Sequence, residues 1–266
     1  MIKNFLALVI FIVTVHLIYV GYIRPEAAQL IEIAQLNGQS APRDLVVILK
    51  DYEQEICLIL MLWGSFLIAT SYREILKTKY LFSVDFINII KESKDAETDD
   101  INNDNNEVKE TELDVDKIIE NLDNRIPKDC LSSPLIQTLR SSLWRYSATK
   151  NVQNLSDAIE SNLEALAIRQ DSENTIIRYL IWAIPSIGFI GTVRGIGRAL
   201  SQADKALAGD IAGMTENLGI AFNSTLVALL LSIFLMFLFH QLQRLQDTQI
   251  LDTQAYCEKY LLNRIK

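Results

Sequence analysis

Cysteine and histidine are scarce in this 266-residue chain, and their arrangement excludes two kinds of cross-link. The three cysteines (Cys57, Cys130 and Cys257) lie far apart, no CxxC pair occurs, and the only histidines are His16 and His240. Isolated cysteines in odd number do not form a disulfide framework, and structural zinc needs four clustered ligands. The sequence therefore predicts three unpaired thiols and no zinc site.

An excess of positive charge is also missing. The net charge is −8, and segment 91–116 alone holds eleven acids and three lysines, so the rest of the chain is balanced. A nucleic-acid-binding surface is basic, and none is indicated here. The acidic segment is rich in asparagine and has no aromatic residue. This composition favours a solvated spacer over a docking site for a partner.

Apolar and charged residues occupy separate blocks, since half of the residues are hydrophobic although 22% are charged. This separation is typical of a membrane protein with a water-soluble part. A helix needs about 20 mostly apolar residues to cross a bilayer. Four runs approach this length: 5–22, 56–72, 179–200 and 218–239. Helices of a soluble core are the alternative, but four such runs in one chain favour membrane spans.

The N-terminal run is similar to a secretory signal peptide, because Lys3 precedes its apolar part. No small-x-small cleavage site follows in the sequence Tyr22-Ile23-Arg24-Pro25, so we expect a retained anchor. An even number of spans places both termini on one side of the membrane. The distribution of lysine and arginine favours the cytoplasmic side.

These patterns predict an all-α membrane protein whose soluble parts form a cytoplasmic helical bundle. Between the first two spans, Pro25 and Pro42 are expected to start two short helices. The predicted organisation in chain order is the first two spans in 1–72 with a periplasmic helical segment at 24–55, a cytoplasmic acidic linker at 73–116, a cytoplasmic helical region at 117–178, the third and fourth spans in 179–240, and a cytoplasmic amphipathic tail at 241–266.

Glycines and a proline mark the third span. Gly191 and Gly195 form a GxxxG pair, and Gly188 lies three residues earlier. This spacing lets a neighbouring helix backbone come close in lipid. Pro185 has no N–H, so we expect a kink and a freed backbone carbonyl nearby. A nucleotide loop is not indicated, because no strand precedes the glycines and no lysine follows at phosphate-loop spacing.

Small and polar residues form a stripe along one face of the fourth span: Ala221, Thr225, Ala228 and Ser232. Asn223 and Ser224 lie beside the stripe. Such residues commonly hold helices together in membranes. The alternative is a hydrated groove in which hydroxyl groups pass protons or another ion along the helix.

Acids and lysines are missing from the apolar core of every predicted span. A proton carrier inside the membrane needs a titratable group, and hydroxyl groups do not titrate near neutral pH. If ions cross the membrane here, the acid must therefore come from another chain.

Two strings in the last two spans resemble a known family. The string PxxGFxGTVxGI from Pro185 to Ile196, followed by AFxxT from Ala221 to Thr225, is similar to the signature of the MotA/TolQ/ExbB proton-channel proteins. The two threonines, Thr192 and Thr225, are 33 residues apart in both. Four spans with a large insert after the second are similar to MotA, whereas the Gly-Thr-Val-x-Gly string is closer to ExbB and TolQ.

The resemblance implies a homopentamer in the bacterial inner membrane that surrounds two copies of a single-span partner. An aspartate of that partner would carry the ion, a proton or alternatively sodium, and no cofactor is implied. Thr192 and Thr225 match the family's pore-lining threonines. Ion flow would be coupled to rotation or force, which drives flagella, outer-membrane transporters or envelope constriction in the family. The termini and the segments 73–178 and 240–266 would be cytoplasmic.

The chain also departs from the family pattern. Ile220 stands where ExbB and TolQ carry a glutamate, and Glu216 lies four residues before it. Arg194 follows the Gly-Thr-Val string where ExbB often has tryptophan, and Ala228 stands where glycine is common.

Two arginines, Arg194 and Arg198, lie one helical turn apart near the outer end of the third span. Both could extend to lipid headgroups, as long basic side chains do at the ends of spans. The sharper hypothesis is that Arg194 pairs with Glu216 across the short loop, or with an acid of the partner.

Two function classes remain open from the sequence. The first is an ion-conducting subunit of a motor, and the second is a non-conducting membrane scaffold or signalling protein that binds a soluble partner through its cytoplasmic helices. An enzyme is not indicated, because the sequence shows no nucleophile–histidine–acid set, metal cluster or phosphate loop. The process that would be driven is not readable from the residues.

Overall fold

The computed structural model describes residues 2–37, 42, 44–83, 131–209 and 211–263. All regular secondary structure in these residues is helical. The acidic segment 91–116 and Cys130 lie outside the described residues, so the predictions made for them stay predictions.

The described elements are named in chain order. They are α1 (Ile2–Ile18), a π-helical turn (Tyr19–Ile23), α2 (Arg24–Leu36), α3 (Leu45–Leu49), α4 (Tyr52–Thr78), a 3-10 turn (Lys79–Ser83), α5 (Pro134–Thr149), α6 (Val152–Leu200), α7 (Ala203–Leu207), α8 (Ala212–Cys257) and a second π-helical turn (Glu258–Leu262).

Within the described residues, four helices are long and apolar enough to cross a membrane: Lys3–Ala34, Tyr52–Phe82, Val152–Leu200 and Ala212–Leu262. Each contains one of the four apolar runs. The predicted all-α fold with four spans is thus confirmed, and the chain is a multi-pass membrane protein. The helices extend well beyond the apolar runs because polar and amphipathic sequence continues the same helical periodicity on either side.

The chain forms two compact units. The membrane unit combines Met1–Ser71 with Asn174–Leu242, and the bundle unit combines Tyr72–Glu173 with Gln243–Lys266. Since the boundaries at residues 174 and 242 fall inside α6 and α8, each of these helices contributes one part to each unit.

The first two spans of the membrane unit run antiparallel. Near one end the indole Nε1 of Trp63 donates to the backbone oxygen of Asn4 at 3.2 Å, and the rings of Phe11 and Phe66 meet edge to face with centroids 6.0 Å apart. A small apolar cluster around Tyr19 joins the helices towards the other end.

The helix that was expected to start at Pro25 is α2, which begins one residue earlier at Arg24 and ends at Leu36. It is not separate from the first span, which continues into it through a π-helical turn. In the π-helical turn the N–H of Arg24 donates to the backbone oxygen of Tyr19. This wider turn accommodates a proline, whose ring clashes with the preceding turn of a regular helix. The second short helix is α3.

Large apolar side chains form the core of the bundle unit. Its buried members come from the 3-10 turn, α5, the first part of α6 and the C-terminal tail: Leu81, Leu135, Ile136, Leu139, Leu143, Leu155, Ile159, Leu163, Tyr256, Cys257 and Leu261. Parts of the insert after the second span and the C-terminal tail therefore share one core. Its cytoplasmic location stays a prediction.

Candidate functional site

The third and fourth spans lie in backbone contact where glycines of α6 face alanines of α8. A Cβ atom placed on Gly188 would overlap with that of Ala228 and lie 3.0 Å from the backbone oxygen of Ser224. A Cβ atom on Gly195 would lie 2.7 Å from the Cβ of Ala221. These distances are shorter than van der Waals contact, so the two helices can approach this closely only because both positions are glycine.

Gly191 allows a third side chain to enter this contact. A Cβ atom on Gly191 would lie 2.6 Å from the Cβ of Ser224 and 3.1 Å from the Cγ of Glu53. Glu53 belongs to the first turn of α4. The missing side chain of Gly191 therefore leaves room both for a serine of the fourth span and for a glutamate of the second.

The two threonines of the family-like strings meet between α6 and α8. The hydroxyl groups of Thr192 and Thr225 share a short hydrogen bond. Thr192 Oγ1 also lies 3.1 Å from the backbone oxygen of Ala221 and 3.3 Å from that of Gly188. Thr225 Oγ1 lies 3.2 Å from the same oxygen of Gly188. Both side chains are half-buried.

Each threonine can donate one hydrogen bond and accept two. The carbonyls of Gly188 and Ala221 already serve as backbone acceptors within their own helices. A hydroxyl group can therefore turn away from them towards a guest without leaving a carbonyl unpaired. The pair can offer two donors to a carboxylate, or oxygen lone pairs to a protonated acid.

The neighbouring polar residues of the fourth span differ in their surroundings. Ser224 is buried, its hydroxyl donates to the backbone oxygen of Ile220 at 3.0 Å, and Gln54 Nε2 approaches the same hydroxyl at 3.4 Å. Asn223 is half-buried and joins no side-chain hydrogen bond to these residues in the described part of the chain. Ser224 thus lies against Gly191 at the contact between α6 and α8, directly before Thr225 in the chain. The role in ion passage that the sequence predicts for Asn223, Ser224 and the two threonines stays a prediction.

The carbonyl freed by Pro185 has a defined partner. Proline at this position removes the helical hydrogen bond to the carbonyl four residues earlier, which is that of Ile181. The hydroxyl of Ser232 on the fourth span donates to this oxygen at 2.9 Å. The last member of the polar stripe therefore satisfies the acceptor that the proline leaves unpaired.

Arg194 does not pair with Glu216 among the described residues, and its alternative pairing with an acid of the partner stays a prediction. Arg194 Nη2 donates instead to Glu53 Oε2 at 2.7 Å, and the carboxylate side chain is only 8% exposed. Arg198 is exposed one helical turn further on, and Glu216 is half-buried on α8. Gly191 gives the carboxylate of Glu53 access to Arg194, because a side chain at position 191 would crowd the Glu53 Cγ at 3.1 Å.

A second carboxylate lies two residues further along α4. Glu55 accepts hydrogen bonds from His16 Nδ1 at 2.7 Å and from Arg24 Nη2, and its side chain is 7% exposed. Arg24 also lies 4.1 Å from the ring centroid of Tyr52. Each of the two buried acids of this turn is therefore paired with an arginine, Glu53 with the third span and Glu55 with the first.

Hydropathy alone does not predict the roles of Glu53, Gln54 and Glu55, because they lie just before the apolar run that starts at residue 56. The helix starts at Tyr52, and its first turn is buried with the spans. The available signal was an arginine near the end of the third span that needed a counter-charge, together with two acids directly before the second span.

Comparison with known proteins gives one match. Residues 127–255 match the model of the MotA/TolQ/ExbB proton channel family, whereas no curated protein and no solved structure matches the chain. The matched residues include the glycine-rich third span, the Thr192–Thr225 pair and the whole apolar part of the fourth span. Residues 127–255, which are 129 of the 266, are therefore similar to the MotA/TolQ/ExbB proton channel family, and the protein is a multi-pass membrane subunit of the proton-channel type.

Proposed function

We propose that this chain is the ion-conducting subunit of an inner-membrane motor or energy-transducing complex. It moves protons, with sodium as the alternative ion, and couples their flow to rotation or force on a single-span partner. The observation that carries the proposal is the contact between the hydroxyl groups of Thr192 and Thr225. They lie between two close-packed spans whose apolar cores contain no acid and no lysine.

The proposed assembly is a homopentamer around two copies of the partner, in the bacterial inner membrane with both termini in the cytoplasm. An aspartate in the partner's span supplies the acid that residues 179–200 and 218–239 lack. The even number of spans and the lysine and arginine distribution support the orientation. The similarity of residues 127–255 to the MotA/TolQ/ExbB proton channel family supports the association with a partner.

The threonine pair would lower the free energy of the charged aspartate. An unpaired carboxylate in the hydrocarbon region costs several kcal/mol, and hydroxyl donors from Thr192 and Thr225 would offset part of this. Once protonated, the aspartic acid needs an acceptor, which a threonine oxygen provides. Neutralisation then lets the pentamer advance to the next threonine pair around the partner.

The test is the double variant Thr192→Val with Thr225→Val, measured as proton flux. The complex is purified through this chain, placed in liposomes and driven by a pH gradient. Valine keeps the shape of threonine and removes the hydroxyl, so flux should fall about tenfold or more while the mass of the complex stays the same. Because each hydroxyl bond in a membrane is worth only about 1 kcal/mol, the assembly should survive.

The matched control is Thr70→Val in the second span. The hydroxyl of Thr70 donates at 2.8 Å to Leu67 of its own helix, so the substitution is the same but lies away from the threonine pair. Its flux should equal that of the wild type. Wild-type flux in the double variant would contradict the proposal, and a complex without ion flux in any form would favour the scaffold that the sequence left open.

A further inference from the structure

The first turn of α4 lies inside the contact between the third and fourth spans. Glu53 and Gln54 are both buried, Gln54 completely. The first turn of a span commonly faces headgroups and water, where a glutamate and a glutamine are well solvated. Here both side chains are removed from water, and each contacts a partner on a different helix.

Two consecutive residues of this turn form polar contacts with two different helices. Glu53 passes over Gly191 and pairs with Arg194 of α6 at 2.7 Å. Gln54 approaches the hydroxyl of Ser224 on α8 at 3.4 Å. Since residues 53 and 54 belong to one rigid helical turn, the two contacts tie α6 and α8 to a common level.

That level is also the level of the threonine pair. Gly191 precedes Thr192, Ser224 precedes Thr225, and Gly191 and Ser224 face each other. The glycine and alanine contacts set how closely α6 and α8 approach, and polar contacts between fixed groups add to the specification of their axial register. The hydroxyl contact between the threonines requires one register, and the two polar contacts can specify it.

Two buried polar atoms of the same cluster, Gln54 Oε1 and Arg194 Nε, have no hydrogen-bond partner among the residues that the structure describes. An unsatisfied buried polar atom destabilises a protein, because it has lost its hydrogen bonds to water without replacing them. Apolar side chains of similar size would pack this turn without that penalty. A cluster that serves stability alone is therefore a poor explanation for these residues.

We propose that Glu53 and Gln54 are positioning residues of the ion pathway, which hold Thr192 and Thr225 in register through Arg194 and Ser224. The inference rests on the proposed function, because its readout is ion flux. It gives this chain's own buried carboxylate a part in transport without making it a carrier of the ion.

The test compares Glu53→Gln with Glu55→Gln in the purified complex, using proton flux into liposomes. Both carboxylates lie in one helical turn, both are nearly fully buried, and each is paired with an arginine. Only Glu53 reaches the third span, whereas Glu55 binds His16 and Arg24 of the first helix. Glu53→Gln should lower flux about tenfold at unchanged complex mass, and Glu55→Gln should lower it less than about threefold.

A thermal unfolding measurement on both variants separates positioning from stability, because each variant breaks a buried ion pair of similar exposure. Similar losses of melting temperature with different losses of flux support the proposal. Equal flux losses in the two variants, or wild-type flux in Glu53→Gln, would overturn it.

Arg194→Gln provides a second, independent arm. If Arg194 and Glu53 act as a unit, the double variant Glu53→Gln with Arg194→Gln should lose no more flux than either single variant. Fold-losses that multiply would overturn the inference. If the threonine double variant conducts normally, the proposed function itself fails; if only Glu53→Gln conducts normally, the positioning role alone fails.

Discussion

Helices α6 and α8 meet differently in the two units of the molecule. In the membrane unit they touch through glycine, alanine and serine, at positions where an added Cβ atom would overlap with the partner helix. In the bundle unit the same two helices contribute leucine, isoleucine and tyrosine to an apolar core with α5. One pair of helices therefore uses two kinds of contact along its length.

The surrounding solvent explains this difference. In water, burial of large apolar side chains stabilises a fold by roughly 25 cal/mol per Å². In lipid, this driving force between helices is missing, so association relies on close backbone approach and on polar contacts. The two units should therefore respond to opposite substitutions. A smaller side chain in the core should destabilise the bundle unit, whereas a larger side chain between the helices should destabilise the membrane unit.

Buried cysteines provide a separate probe for each unit. Cys57 lies in the membrane unit and Cys257 in the bundle unit, and both are buried free thiols. Burial raises the pKa of the Cys257 thiol to about 12, so at pH 8 the folded chain holds almost no reactive thiolate there. Maleimide labelling during detergent-induced unfolding, read by peptide mass, therefore reports when each unit opens.

The largest effect is expected for Leu139→Ala in the bundle unit. Leu139 is 1% exposed, and its truncation should lower the free energy of unfolding by about 2–5 kcal/mol. Labelling of Cys257 should begin at lower denaturant while labelling of Cys57 is nearly unchanged. The control Leu251→Ala removes a side chain that is 64% exposed on the same unit; an equal loss there would contradict the burial argument.

A smaller loss is expected for Gly188→Ala, which adds one methyl group to the membrane unit. The new Cβ atom would overlap with Ala228 and crowd the backbone of Ser224, so the helices must separate at a cost of about 1–3 kcal/mol. In this variant Cys57 should be labelled at a lower denaturant concentration than Cys257. Gly197→Ala is the matched control, because nothing lies within 4 Å of its added Cβ atom; if both variants behave alike, close approach is not what joins the spans.

The smallest effect is expected for Ser232→Ala, at about 1 kcal/mol. The variant removes the hydroxyl that donates to the carbonyl of Ile181, which Pro185 leaves without its helical partner. Ser186→Ala should cost less, because that hydroxyl donates to a carbonyl of its own helix. Adding Pro185→Ala should abolish the cost of Ser232→Ala, since the restored N–H then satisfies Ile181. A cost that persists in the double variant rules out this role for the serine.

Residue order along the chain was enough to predict the four spans and the faces that carry glycine, alanine and threonine. Hydropathy and helical spacing are local properties of the sequence. An apolar run therefore predicts a span, and a GxxxG pair predicts a packing face, without knowledge of the neighbouring helix. The same holds for the absence of acids from the apolar cores. From these features and the family resemblance, Thr192 and Thr225 could be predicted to line one pathway beside the third and fourth spans.

Only the tertiary structure decided which charges and carbonyls meet. Arg194 pairs with Glu53, which is 141 residues away, and the hydroxyl of Ser232 donates to the backbone oxygen of Ile181 on another helix. The first span continues through Pro25 because a π-helical turn makes room for the ring. Such pairings depend on the rotation and register of packed helices, and these are set by all contacts of a helix together. Local spacing in the sequence predicts the faces of each helix, but the partner of each side chain is determined only when the faces pack.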